Sequence, residues 1–151
     1  MLKEEGMQVM NLSYVAVAIG GFLGALARFG MGQGFAGLVQ STGFPWGTLV
    51  INLLGCFVLA LFLTVTLDLF DINPLIRVGF STGFLGAFTT FSTFSMETIQ
   101  LIRAGQYWYT GLYLFCSIFL CIAMAALGFM VTRGIVQFRA NQQGMDGELE
   151  K

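Results

Sequence analysis

The sequence predicts an all-α membrane protein of four transmembrane helices, the third broken near its middle. Three observations carry that prediction. Of 151 residues, 56% are hydrophobic and only 10% are charged, where a soluble domain carries about 25% charged residues. Mean hydropathy is +0.80. Four stretches reach the roughly 20 apolar residues that cross a bilayer as a helix, and the third holds a glycine- and hydroxyl-rich interruption.

The first span covers residues 12–31, "LSYVAVAIGGFLGALARFGM". Its long apolar run, with no A-x-A site after it, argues against a cleaved signal peptide. The second covers residues 46–67 and carries Asn52, with Thr48 four residues earlier on the same face. The third covers residues 75–102 and contains "TGFLGAFTT". Non-helical backbone at membrane depth is tolerated only where protein or a water-filled cavity covers it. Interrupted spans in transporters place freed carbonyls around cations, so residues 86–90 are an expected break and a candidate cation site. The fourth covers residues 107–132 and places Tyr113 and Ser117 four apart. Gly20 and Gly24, and Gly79 and Gly83, have the spacing of closely packed helix faces.

Loops are short: "FAGLVQSTGFP", "DLFDINP" and "AGQ". They force neighbouring spans to run antiparallel. The head, residues 1–6, and the polar tail, residues 134–151 from Arg139 onward, are expected to be disordered. The whole chain, residues 1–151, is read as one membrane domain without tandem repeats.

The rest of the composition excludes several classes. There is no histidine, which removes the commonest general base and metal ligand. Cys56, Cys116 and Cys121 lie in apolar runs without metal spacing and are expected to be packing residues. Net charge is −1, without a basic cluster, so neither nucleic acid nor an anionic lipid surface is an expected partner. No activated nucleophile or metal constellation suggests an enzyme. Glu97 is the only acid inside a span and lies off centre, so the midplane carboxylate of a proton-coupled exporter of cationic drugs is missing. Spans one and three run in the same direction, which predicts a contact between Arg28 and Glu97. With the termini on one side, that side holds Lys3, Arg77, Arg133, Arg139 and Lys151 against Arg28 and Arg103, a tilt toward cytoplasmic termini.

The third span raises the functional question. Phe80, Phe84, Phe88, Phe91 and Phe94 recur at helical spacing as one stripe. Among them lie Thr89, Thr90, Ser92, Thr93, Ser95 and Thr98, where Ser92 and Ser95 share a helix face, as do Thr89 and Thr93. The stripe can be packing, the hydroxyls can bond to their own helix carbonyls, and Asn52 can clip two helices together. Taken as a set, however, N–H and O–H donors and the positive edges of phenyl rings complement an anion. Neutral donors replace part of a hydration shell without trapping the ion. A purely structural membrane protein would leave the donors of three spans unexplained. Four short helices enclose little space, so a conducting site calls for a second subunit.

The segments "GGFLGALARF", "GTLVINLLG" and "TGFLGAFTTFSTFSMET" resemble the Fluc-type bacterial fluoride channels, from residue 19 to residue 129. The "TTFSTFS" core followed by "ET" carries most of the specificity. The resemblance implies an antiparallel, dual-topology homodimer in the bacterial inner membrane. Each dimer would hold two pores through which cytoplasmic fluoride leaves passively while chloride is excluded. It assigns the fluoride path to the Asn52 amide, the ring edges of Phe91 and Phe94, and the hydroxyls of Tyr113 and Ser117, with Ser92 and Thr93 from the motif core. The backbone carbonyls of Gly86 and Thr89 would hold a structural sodium ion at the dimer centre. Thr48 joins the fluoride path near the vestibule, and Arg28 and Glu97 fall at vestibule or structural positions. Cys121 stands where a serine of the hydroxyl track is expected, and Ala125 where a threonine would fit. A thiol is a poor donor, so the outer track departs from the family pattern. Ala87 and Phe88 depart from the smaller or aliphatic residues of the break. Some relatives pair with a second, non-identical chain.

Overall fold

The computed structural model describes the backbone at residues 2–68, 70 and 72–149, and side chains at residues 10–68, 70 and 72–138. All regular structure among the described residues is helical. Helix α1 spans Leu2–Thr42 and α2 spans Trp46–Asp68. A short α3, Pro74–Val78, leads into a π-helix, Gly79–Leu85, then into one α-helical turn, α4, Gly86–Phe88. Helix α5 covers Phe91–Arg103 and α6 covers Tyr107–Leu149. Among the described residues three helices are long and apolar enough to cross a membrane: Met10–Thr42, Trp46–Asp68 and Tyr107–Phe138.

Helix α1 is longer than the sequence suggests. Residues 35–42, expected in the loop "FAGLVQSTGFP", continue the helix, because their glycine has no proline beside it to stop it. The stop comes at Gly43, in the left-handed region at φ +72°, where glycine alone is unstrained. Thr42 Oγ1 fastens the turn. It donates to the Leu38 carbonyl (2.7 Å) and accepts from the Phe44 N–H and the Trp46 indole N–H, both at 3.2 Å. The α5–α6 connection is as short as expected and turns on Gly105, also at φ +72°. Helical backbone also runs through residues 2–6 and out to residue 149, where disorder is expected from composition. Both segments lack proline, so nothing in them interrupts the ladder of the helix they extend.

Two pairs of helical layers build the body. Helix α1 lies along α3, the π-helix and α4, while α2 lies along α6 and α5 leans on α6. The glycine pairs explain the first seam. A methyl group on Gly20 or Gly24 would strike the carbonyls of Gly79 or Phe84, and one on Gly83 would strike the Val17 carbonyl. The two glycine faces therefore pack on each other, backbone to backbone. Gly128 on α6 meets the Phe57 carbonyl on α2 in the same way.

At Asn73 the side-chain oxygen accepts from the Leu75 N–H (2.9 Å), and Pro74 follows at the first helical position, a regular helix start. From there the helical path changes winding twice. The segment 75–102 is thus divided rather than one long helix. Thr89 (ψ 155°) and Thr90 (φ −147°) are extended, and the chain restarts as α5. The phenylalanine stripe divides at the same place. Phe80, Phe84 and Phe88 stack in sequence at 5.3 and 6.0 Å. Phe91 and Phe94 belong to the other side of the break, and Phe94 packs on Tyr113 at 5.1 Å.

Candidate functional site

The interruption is held open by one side chain. The Asn52 amide N–H donates to the Thr90 carbonyl (3.0 Å), and the Asn52 amide oxygen accepts from the Thr90 N–H (2.8 Å). This exchange fixes which amide atom is nitrogen. It also withdraws the Thr90 N–H from the Gly86 carbonyl, where an uninterrupted helix would send it. The Thr89 N–H and hydroxyl both go to the Leu85 carbonyl, at 3.0 and 2.9 Å. Neither residue's N–H therefore reaches Gly86, whose outer side is open space.

Thr90 also starts the next helix. Its hydroxyl accepts from the Thr93 N–H at 3.2 Å and donates to the Thr93 hydroxyl at 3.0 Å, an N-cap satisfying one orphan donor. Ser92 approaches the same oxygen at 3.2 Å. Thr89 and Thr93, expected on one face, are separated because the extended residues between them cancel the helical register. Ser95 and Thr98 donate to the carbonyls of Phe91 and Phe94 (2.9 and 2.7 Å). Five of the six hydroxyls in the motif are thus engaged within Thr90–Thr98, and the Thr89 hydroxyl bonds backward to Leu85.

Around the break lies a cleft of about 350 Å³, lined by α2, the divided segment and α6. It collects Asn52, Gly86, Thr89, Phe91, Phe94 and Ser117 from among the expected site residues. Its walls carry no charged side chain. The Ser117 Oγ is buried and has no hydrogen-bond partner among the described residues. An unpaired buried hydroxyl costs about 1–3 kcal/mol, and Ser117 is one of the residues that line the cleft. Phe91 is 79% exposed in the isolated chain, on the open side of the cleft.

Thr48 and Tyr113 do not line this cleft. They meet at Glu97: the Thr48 hydroxyl donates to Glu97 Oε1 (2.9 Å), and the fully buried Tyr113 hydroxyl donates to Oε2 (2.7 Å). The expected contact between Arg28 and Glu97 is absent among the described residues. Glu97 lies beyond the break, on α5, which packs against α6 and α2, whereas α1 packs against the half before the break. Arg28 Nε is buried without a hydrogen-bond partner. Ser92 and Thr93 bond through their hydroxyls to the capping Thr90 hydroxyl and are not among the residues lining the cleft.

Sequence reasoning missed Thr90 as the pivot, although a threonine directly before an apolar-periodic run is a legible helix start. It also missed Cys56 as a wall residue beside Cys121. Their separation along the chain offered no signal.

Residues 15–129 match the family described as CrcB-like protein, Camphor Resistance (CrcB). A protein of Acidithiobacillus ferrooxidans named fluoride-specific ion channel FluC is 44% identical over 122 residues, covering 79% of this chain and 94% of that protein. Fluoride-specific ion channel FluC 1 of Bacillus cereus is 43% identical over 122 residues, covering 81% and 84%. The protein named fluoride-specific ion channel FluC in Acidobacterium capsulatum is 43% identical over 125 residues, covering 83% and 99%. With three membrane-length apolar helices, and a family match across most of its length, the chain is an all-α, multi-pass membrane protein that belongs to the CrcB/Fluc family of ion channels, not to an enzyme family.

Proposed function

We propose that this protein is a fluoride-selective channel that lets fluoride leave the cytoplasm passively and so protects the cell from fluoride toxicity. The observation that carries the reading is the uncharged cleft at the break. It gathers a buried unpartnered hydroxyl, an amide and two phenyl rings. Fluoride is small and strongly hydrated, so its path must offer donors in place of water. The Asn52 amide retains one N–H beyond the one given to Thr90. Ser117 supplies an O–H, and Phe91 and Phe94 supply ring edges. A fixed cation would hold the ion too long for turnover. Thr48, Tyr113, Ser92 and Thr93 stand at the flank of the proposed path; the Thr48 and Tyr113 protons rest on Glu97, so these two hydroxyls would serve the ion only by turning away from that carboxylate.

The cleft is open on one side, which supports closure by a second copy of the chain. In this reading the working unit is an antiparallel homodimer of single-domain subunits in the bacterial inner membrane. Each subunit has four spans, with the divided segment 74–103 as the third, and the dimer has two pores. Gly86 and Thr89 suit a sodium ion at the dimer centre. The terminal carbonyls of α4 lack intrahelical donors, and nothing covers Gly86. Such an ion would supply positive charge to bind the two breaks together.

The test is fluoride efflux from proteoliposomes, read with a fluoride electrode beside chloride efflux. Rapid fluoride release without chloride release is the expected result. Silence from folded dimeric protein overturns the reading for this chain alone.

A further inference from the structure

Two of the three cysteines share the cleft. Cys56 on α2 and Cys121 on α6 both line the cleft, near enough for their side chains to influence each other. They stand one helical turn beyond Asn52 and Ser117. Cys116 lies elsewhere, against the cluster of Phe44, Leu49, Leu101 and Tyr113.

We propose that Cys56 and Cys121 form a two-thiol site that captures a soft, two-coordinate divalent cation of the mercuric class, and that the captured ion blocks the cleft. Softness follows from the sulfur donors. Coordination number follows from the neighbourhood. No group of three or more His, Cys, Asp or Glu side chains that could hold a metal occurs among the described residues. A tetrahedral ion such as zinc, which needs four ligands or three and a water, is therefore poorly served. Two sulfurs satisfy a linear ion completely. On binding, each thiol releases its proton to solvent and each sulfur forms one bond to the ion. Two thiolates and one divalent cation leave the site neutral, in keeping with walls that carry no charge.

Capture of the ion stands on the cysteine geometry alone; the block rests on the channel reading given above. Both are tested on the full-length protein carrying Cys116→Ser, which leaves two thiols per chain. Mercuric chloride is titrated in and the remaining thiols are counted with a maleimide. One equivalent per chain is expected to mask both thiols. A requirement for two equivalents, each masking one thiol, overturns the bridge. In proteoliposomes of the same variant, one equivalent is expected to abolish fluoride efflux, with recovery on adding excess dithiol. The further change Cys56→Ser or Cys121→Ser is expected to remove that sensitivity. Masked thiols with undiminished efflux overturn the block. If fluoride efflux is absent before mercury is added, the channel reading fails, while the thiol count still decides the site.

Discussion

Asn52 and Thr90 hold each other by two hydrogen bonds across 38 residues of sequence, 3.0 Å from the amide nitrogen to the Thr90 carbonyl and 2.8 Å from the Thr90 N–H to the amide oxygen. A side chain on α2 thereby completes the backbone of another segment at the point where that segment stops being helical. Asparagine suits this task because its amide carries a donor and an acceptor in one plane, as a peptide group does.

Asn52→Asp keeps the acceptor and loses the donor. The Thr90 carbonyl then faces a carboxylate oxygen. Stability is expected to fall by about 1–3 kcal/mol, measured by denaturant unfolding in detergent, and fluoride efflux is expected to stop. Undiminished efflux from this variant would show that Asn52 only splices the break.

Phe91→Ile and Phe94→Ile are both expected to reduce fluoride efflux, because isoleucine has no positive ring edge. Their effects on stability should differ. Phe91 is 79% exposed in the single chain, whereas Phe94 contacts Tyr113 at 5.1 Å. The second change should cost about 1–2 kcal/mol more within the subunit. Equal flux to the unmodified protein in both variants would remove the ring-edge role.

Gly24→Ala is expected to destabilise by about 1–3 kcal/mol, since its methyl meets the immobile Phe84 carbonyl. Gly37→Ala, on the same helix, enters open space and should be neutral or stabilising by about 0.5–1 kcal/mol. Thermal unfolding of the two variants side by side checks this, and a reversed order would refute the backbone-to-backbone seam.

Tyr113 and Glu97 should couple in a double-mutant cycle of Tyr113→Phe with Glu97→Gln, by about 1 kcal/mol or more. The corresponding cycle of Arg28→Gln with Glu97→Gln should give a coupling near zero. A large coupling in the second cycle would place Arg28 against Glu97 after all.

Labelling of cysteines introduced at the two ends of the chain, in sealed cells and a background without native cysteine, is expected to find both orientations in comparable amounts. One orientation alone would indicate a second, non-identical chain as partner.

Much of this architecture is legible in local patterns. The apolar runs around Asn52 and Ser117 announce their helices, and the glycine pairs at Gly20 and Gly79 announce a close seam. An interruption at residues 86–90 is expected because glycines and hydroxyls cluster where a membrane helix needs continuous apolar backbone cover; in the structure Gly86–Phe88 stay helical and the extended residues are Thr89 and Thr90. The length of α1 was not readable, because glycine in an apolar helix weakens it without ending it, and only the positive φ at Gly43 ends it.

The sequence by itself determined the class of protein, the helical runs and the neutral, donor-rich character of the third segment, since these depend on composition and spacing of at most a few helical turns. The tertiary structure decided the pairings. It set Asn52 against Thr90, Glu97 against Tyr113 rather than Arg28, and Cys56 and Cys121 on the wall of one cleft. The reason is the break itself. Two extended residues rotate and redirect everything after them, so periodicity counted from the first half of the segment no longer says which side chains face which neighbour.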